Sequence, residues 1–381
     1  MTIPQRFNAW FHPIMQKRVA RFYQKKMALI ERQRPDLFKP VDPDVTRRHL
    51  ALWGKLGLPV TDQWMRFLSN VSGIVDYTYC PDDMYYAVIE RTLNDIQWGI
   101  GGLSDKNMLT QYIGSKYCPH IVLRYLRGRF CDEDYKTLTE HQVDAILRKD
   151  QGILIGKNVD ACGGHGVSAY HYKDGMYVNS RDEVLNANRI RSFGASYLVQ
   201  ERIEQCEFSA QFNPASCNTC RMITFRRPWD GVTRVCAAGM RFGVSDAIID
   251  NMSQGGMCVA LSPEGRLARV AATNWYKGEP VLKHPTSGIV FGEQTHPYFK
   301  KMSEVACECA ARNPYMNILS WDMVADRNGD IRILEVNPAS QGIDWPQFDF
   351  GSLFGEDTEA LVDWCVANRA LNKFDHFRTW Y

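Results

Sequence analysis

The stretch Asn317-Ile-Leu-Ser-Trp-Asp-Met-Val-Ala-Asp-Arg-Asn-Gly-Asp-Ile-Arg-Ile-Leu-Glu-Val-Asn337 leaves little choice of local structure. Two apolar-rich runs flank Asn328-Gly329, and both of these residues tolerate the positive φ of a type I′ turn. The pattern predicts a β-hairpin with Asn328-Gly329 as its two-residue loop. In that register Asp322 lies directly across from Glu335, with Cβ atoms about 4.5–5.5 Å apart. Asn337 shares their face because side chains alternate along a strand. Trp321, Met323, Leu334 and Val336 take the other face, which suits a core. Two opposed carboxylates repel, and something must answer that charge. One answer is a cation: three hard oxygen ligands, with room for water and phosphate, suit Mg²⁺. The other is protonation of one acid, or a Lys or Arg bonded to it. The pairing alone leaves both open.

Three other segments carry groups suited to phosphate or nucleotide. Ile153-Leu-Ile-Gly-Lys157 reads as a strand ending in lysine, followed by a turn containing Gly163, Gly164 and Gly166. Glycines let backbone N–H groups approach a phosphate closely, and lysine adds a point charge. The sequence is neither a Walker loop nor a GxGxxG turn, and a hairpin tip would look the same. Tyr197-Leu-Val-Gln200-Glu201-Arg202-Ile203 runs from an apolar strand into polar side chains, with Glu207 close behind. Such a segment can offer backbone groups to an adenine edge and a carboxylate to a ribose, or be an ordinary connection. Asp105-Lys106 reads as the opening of a helix, with Lys106 either a phosphate ligand or half of a surface ion pair.

The first ~35 residues look largely like a basic amphipathic helix, in which Lys17, Arg18, Arg21, Lys25, Lys26, Arg32 and Arg34 interleave with Trp10, Phe11, Ile14, Val19, Phe22, Met27 and Ile30. Two partners fit it: an anionic membrane surface or acidic protein, and the body of this protein with the basic face left to solvent. Pro35, Pro40 and Pro43 end it, and Asp44–Leu50 starts another helix. Residues from about 44 to 100 look mainly helical. Short strands and helices alternate to about 200, and the remainder is strand-rich up to a helix at 302–313. After the hairpin comes a C-terminal helix around 358–371. The class is α+β with mixed or antiparallel sheets.

A net charge of +2 over 381 residues gives no overall field for nucleic acid. No apolar run approaches the ~18 residues of a membrane span, and the N-terminus lacks a signal-peptide pattern, so a cytoplasmic protein is expected. Membrane contact through the basic helix would place it at the inner face. The twelve cysteines sit mostly in apolar contexts and read as free buried thiols, the lone Cys217-x-x-Cys220 included.

The order of the pieces is more specific than any one of them. Ser104-Asp-Lys106, strand-Lys157 with its glycine turn, strand-Gln200-Glu-Arg-Ile203, Asn218-Thr-Cys-Arg-Met-Ile-Thr224, Asp250-Asn-Met-Ser-Gln-Gly-Gly256, His284-Pro-Thr-Ser-Gly288 and Ile331-Arg-Ile-Leu-Glu-Val-Asn337 follow in sequence. Together they resemble the ATP-grasp superfamily, nearest its sugar-transfer-associated group, over roughly residues 80 to 345. The resemblance implies an ATP-grasp fold, two α+β subdomains sandwiching ATP. It implies a helical N-terminal region (1–100), a lid subdomain (101–200) and a C-terminal subdomain (201–381) with a Mg²⁺ site. It implies that Lys106 and Lys157 hold the α- and β-phosphates under a mobile loop of Gly163, Gly164 and Gly166. Gln200 would face the adenine amine, the backbone of Glu201, Arg202 and Ile203 its edge, and Glu207 (or Gln205) the ribose. Arg221 would neutralise the γ-phosphate, with Lys157 beside it in catalysis, and Asp322, Glu335 and Asn337 would carry Mg²⁺. His165 is not a residue the family pattern requires, and reads as a polar loop residue or an acid/base group.

The implied activity is an ADP-forming carboxylate–amine or carboxylate–thiol ligase working through an acyl phosphate. Its substrates would be a small carboxylate and an amine, sugar-linked if the family name is a guide. Acceptor recognition is expected from the N-terminal region and from Asn251, Gly255, Gly256 and His284. The alternatives are a kinase acting on a sugar hydroxyl and a nucleotide-binding regulator without turnover.

Overall fold

Antiparallel pairing organises both sheets. The computed structural model describes residues 3–96, 99, 102–159, 166–272 and 280–372. Among them the first sheet has seven strands: β1 (Ile121–Leu126), β2 (Arg129–Cys131), β3 (Thr137–Leu138), β4 (Leu154–Asn158), β5 (Val167–Lys173), β6 (Met176–Val178) and β7 (Ser196–Glu201). Their spatial order is β3-β2-β1-β7-β4-β5-β6. The second sheet has five: β8 (Cys220–Arg226), β9 (Thr233–Phe242), β10 (Met257–Leu261), β11 (Ile318–Ala325) and β12 (Ile331–Asn337), in the order β10-β9-β8-β11-β12. The expected α+β ATP-grasp architecture is present, preceded by helices. The long helix α1 (Ile3–Gln33) comes first, then α2 (Pro43–Gly54) and α3 (Gln63–Ser72). Pro43 is the first residue of α2 rather than a breaker: its missing N–H is no loss there, and the Asp42 carboxylate caps the helix by accepting the Asp44 N–H at 2.7 Å.

The hairpin exists, but its loop differs from the one expected. Arg327, Asn328 and Gly329 form a three-residue connection, with Gly329 left-handed at φ 78°. The Asp326 carboxylate holds it by accepting the N–H groups of Asn328 and Asp330, each at 2.9 Å. This puts the register one residue out of step near the turn, where Met323 faces Ile333. A bulge in β12 then takes up the difference, so that Asp322 faces Glu335, Trp321 faces Val336 and Ser320 faces Asn337. The extra residue is Leu334. It leaves the core face expected of it and lines the cleft, while Trp321, Met323 and Val336 remain buried.

The helical region is tied to this hairpin. Asn94 uses its whole amide: Nδ2 donates to the carbonyls of Ile318 (2.7 Å) and Pro338 (2.8 Å), and Oδ1 accepts the N–H groups of Asn317 and Ile318. The start of β11 and the exit of β12 are thus held by one side chain. Just before Asn94 lies a buried π-helix, Tyr85–Ile89, where Tyr85 donates to Gln341 Oε1 at 2.7 Å. Helix α1 packs on this segment through Ala20 and a Tyr23–Tyr86 stack at 4.6 Å, while its Met27 and Ile30 join the core beside α3 and Lys26 lies 3.5 Å from Asp344. Its apolar residues are not all inward: Phe22 and Leu29 are exposed among the basic side chains.

At Gly329 a Cβ would lie 2.5 Å from the Tyr298 ring, on a backbone that side chains rarely adopt. Gly329→Ala should therefore cost about 1–2 kcal/mol in urea unfolding.

Candidate functional site: a cationic cleft between two sheets

The two sheets face a common cleft of about 670 Å³. Strands β4, β5 and β7 line one wall with Lys157, Ala169 and Gln200. Strands β8, β9, β11 and β12 line the other with Arg221, Arg241, Asp322 and Glu335. A larger cavity of about 930 Å³ opens elsewhere along the Glu201–Gln205 segment, but neither Asp322 nor Glu335 lines it.

The opposed acids are answered by cations of the protein itself. Arg221 sits directly across from Asp322 in the β8–β11 register. Its Nε donates to Oδ1 at 2.8 Å and its Nη2 to Oδ2 at 2.9 Å, a bidentate fork. Arg241 Nη2 reaches the same Oδ2 at 2.9 Å. Lys106 Nζ lies 3.3 Å from Glu335 Oε1. Burial alone would raise the Asp322 carboxyl, but the two guanidiniums outweigh it and hold it well below the usual carboxylate range. Arg241 is fixed in turn by Thr219, whose Oγ1 accepts from Nε (2.9 Å) and Nη2 (2.7 Å). The Thr219 hydroxyl and N–H both donate to Asp250 Oδ2.

Lys157 is buried in the cleft wall, and burial, with Lys106 nearby, pushes its ammonium down to about 8. Gln200 is also buried and lines the cleft. Arg202 and Ile203 line it too, whereas the Glu201 side chain turns away to His120 at 3.1 Å. The N–H groups of Glu201 and Arg202 are engaged by the carbonyls of His120 and Ile153, so these two donors serve the sheet. Glu207 is exposed at the start of a short helix, Glu207–Ala210, and is absent from the cleft lining. Lys106 lies in a turn stabilised by Asn107 N–H donating to Asp105 Oδ1, and the helix expected there starts at Leu109. Gly166 is left-handed at φ 74°, and its carbonyl accepts the Asn158 N–H. Gly163, Gly164 and His165 lie outside the described residues.

Of the acceptor candidates, Asn251 lines the cleft. Gly256 lies against the Asp250 carbonyl, where a Cβ would come within 2.3 Å. Gly255, left-handed at φ 91°, is absent from the lining of the cleft. His284 is fully buried, packed beside Phe212 and Phe242 with Nε2 3.0 Å from the Gly243 carbonyl, so it serves packing. The residue that sequence reasoning missed is Arg241. Its position two residues past Gly239, which pairs with Arg221, would have revealed it only with the β8–β9 register in hand.

Among the lining residues, Lys106, Lys157, Arg202, Arg221 and Arg241 oppose Asp250, Asp322 and Glu335, a formal surplus of two positive charges. Such a cleft suits a polyphosphate anion. Among the described residues, no group of three or more His, Cys, Asp and Glu side chains is placed to hold a metal. A divalent cation would therefore need Asn337. Its Nδ2 is buried without a hydrogen-bond partner, and turning the amide over presents Oδ1 at the same point. Glu335 fits Mg²⁺ once Lys106 has left it, Asn337 with its amide turned over, and Asp322 once a guanidinium has left it for a phosphate.

Facing antiparallel sheets, with a lysine on one wall and an acid-bearing hairpin on the other, define the ATP-grasp class. The chain belongs to the sugar-transfer-associated ATP-grasp family: the model of that family matches residues 128–359, more than half of the sequence. No curated protein matches the sequence. Solved structures similar to it include the ADP complex of the N5-carboxyaminoimidazole ribonucleotide synthetase purK (14% identity, 65% of this chain and 50% of that one, TM-score 0.36). Others are a biotin carboxylase–β,γ-ATP complex from Campylobacter jejuni (10%, 69% and 46%, 0.39) and an L-amino acid ligase from Bacillus licheniformis (10%, 64% and 42%, 0.36). The chain spans about half the length of these structures. No helix among the described residues is long and apolar enough to cross a membrane.

Removing one partner of a buried charge network leaves the other uncompensated. Arg241→Met should lower unfolding free energy by about 3 kcal/mol, measured by urea denaturation.

Proposed function

We propose that this protein is an ATP-dependent carboxylate–amine ligase acting in sugar or surface-polysaccharide biosynthesis. The observation that carries the reading is the convergence of Lys106, Lys157, Arg221 and Arg241 on one cleft beside the Asp322–Glu335 pair. A substrate carboxylate oxygen attacks the γ-phosphorus of ATP, the bond to the bridging oxygen breaks, and ADP leaves. A neutral amine then attacks the acyl carbon of the resulting acyl phosphate. The C–O bond to phosphate breaks, and phosphate departs with the amine's proton.

The first step needs positioning and charge neutralisation more than covalent help from the protein. Lys157 and Lys106 supply fixed cations for the phosphate chain. Arg221 and Arg241 are held ready on Asp322 and can follow charge onto the transferred group. Mg²⁺ held by Glu335, Asn337 and Asp322 would supply further neutralisation of phosphate oxygens. A covalent thiolate route has little support: Cys217 lines the cleft, but burial pushes its thiol up to about 12, so it stays protonated. The sugar association rests on the family's description.

The test is ADP release with MgATP, a panel of sugar acids and hydroxylamine, which traps an acyl phosphate as a hydroxamate. Wild type should form hydroxamate, and Glu335→Ala should form roughly 100-fold less. ADP release with a phosphorylated sugar and no hydroxamate would replace this reading with the kinase.

The buried lysine sets a pH dependence. Lys157 is charged below about pH 8 and loses its proton above it, so MgATP affinity should fall as pH rises through 8. Lys157→Arg keeps its charge throughout and should flatten that limb in calorimetric titrations.

A further inference from the structure

A second cavity, of about 320 Å³, lies between α1 and the buried segment that follows the π-helix, and it meets the nucleotide cleft at Ser340. At that meeting point stands Glu90, only 3% exposed, whose Oε1 accepts the Ser340 N–H at 2.6 Å. Arg18 and Arg91 line the same cavity, and the rings of Phe22, Tyr23 and Tyr86 form its walls. A wall with a buried carboxylate at its inner lip and guanidinium side chains beside it is a poor packing solution and a good polar binding site.

Two backbone features mark the same place. Tyr86 belongs to the π-helix, a form that occurs mainly as short segments and frequently at functional sites. Ser340 is left-handed at φ 58°, a conformation that a non-glycine residue holds only when its surroundings compel it. Here the surroundings are Glu90 on Ser340, Tyr85 on Gln341, and Tyr86, whose hydroxyl accepts the Gly342 N–H at 3.2 Å.

An amine that attacks an acyl phosphate must enter beside the nucleotide cleft, and an ammonium waiting there needs an anionic group. A carboxylate elsewhere on the same molecule needs cations. We propose that this cavity is the acceptor site, and that the acceptor is a small zwitterion of the amino-acid type, its ammonium at Glu90 and its carboxylate at Arg18 and Arg91. The assignment rests on the ligase reading and adds the acceptor's chemical class to it. Arg18, Glu90 and Arg91 precede the stretch matched by the family model, so this selectivity belongs to the helical region.

The experiment is calorimetric titration of the full chain, saturated with MgADP, with each of the twenty free proteinogenic amino acids. At least one should bind, and its N-acetylated and decarboxylated forms should not. Arg91→Met and Glu90→Gln should weaken it about 10- to 100-fold, with MgADP affinity unchanged. Glutamine keeps an oxygen for the Ser340 N–H, and Arg18→Met changes only an exposed side chain, so loss of fold cannot mimic the result. Failure of all twenty to bind the MgADP form would overturn the acceptor site and leave the ligase reading standing. Binding that survives all three substitutions would overturn the location. Failure of MgADP itself to bind would remove both.

Discussion

The buried charge of Asp322 is the constraint on which the cleft is arranged. A carboxylate on the central region of a five-stranded sheet, 3% exposed, cannot stand alone in a medium that solvates it poorly. Arg221 and Arg241 neutralise it from β8 and β9, and Thr219 and Asp250 extend the network across the sheet. The consequence is functional as much as structural. The cations that neutralise Asp322 also give the cleft fixed positive charge of the kind that suits a polyphosphate anion. The protein's own cations answer the opposed acids, Arg221 and Arg241 on Asp322 and Lys106 on Glu335.

The helical region contributes to the cleft without supplying its charges. Asn94 holds both ends of the acid-bearing hairpin, and Glu90, Tyr85 and Tyr86 hold the loop that leaves it. These bonds join residues more than 200 positions apart in sequence. The position of Asn337 therefore depends on a segment that packs beneath α1. A substrate pocket at this junction would communicate with the nucleotide site through a single residue, Ser340.

Some of this was legible from the chain alone, and the hairpin shows how. Asp322, Glu335 and Asn337 come to one patch as the alternation predicts, yet the predicted loop was wrong by a residue. Asp326 favours a three-residue loop by capping it, and the bulge at Leu334 restores the register. Loop and bulge compensate because burying Trp321, Met323 and Val336 fixes which face turns inward, and a slip that exposed them would cost more than a bulge. The same reasoning could not find Arg241, whose relevance appears only once β8 and β9 are paired, nor the inward turn of His284.

What the sequence by itself determined is local: strand alternation, the turn at Asn328-Gly329, the proline-delimited helices, and the acids at spacing that shares a face. These follow from backbone sterics and a period of two, which neighbours along the chain express without help. Only the tertiary structure decided which cation meets which acid, that Glu207 stays off the cleft, and that Lys157 is buried enough to be pushed down to about 8. Such outcomes depend on desolvation and on contacts between segments about a hundred residues apart or more, as between Arg221 and Asp322. Chain spacing carries no record of those distances, and the Coulomb and solvation energies that settle the site vary steeply with them.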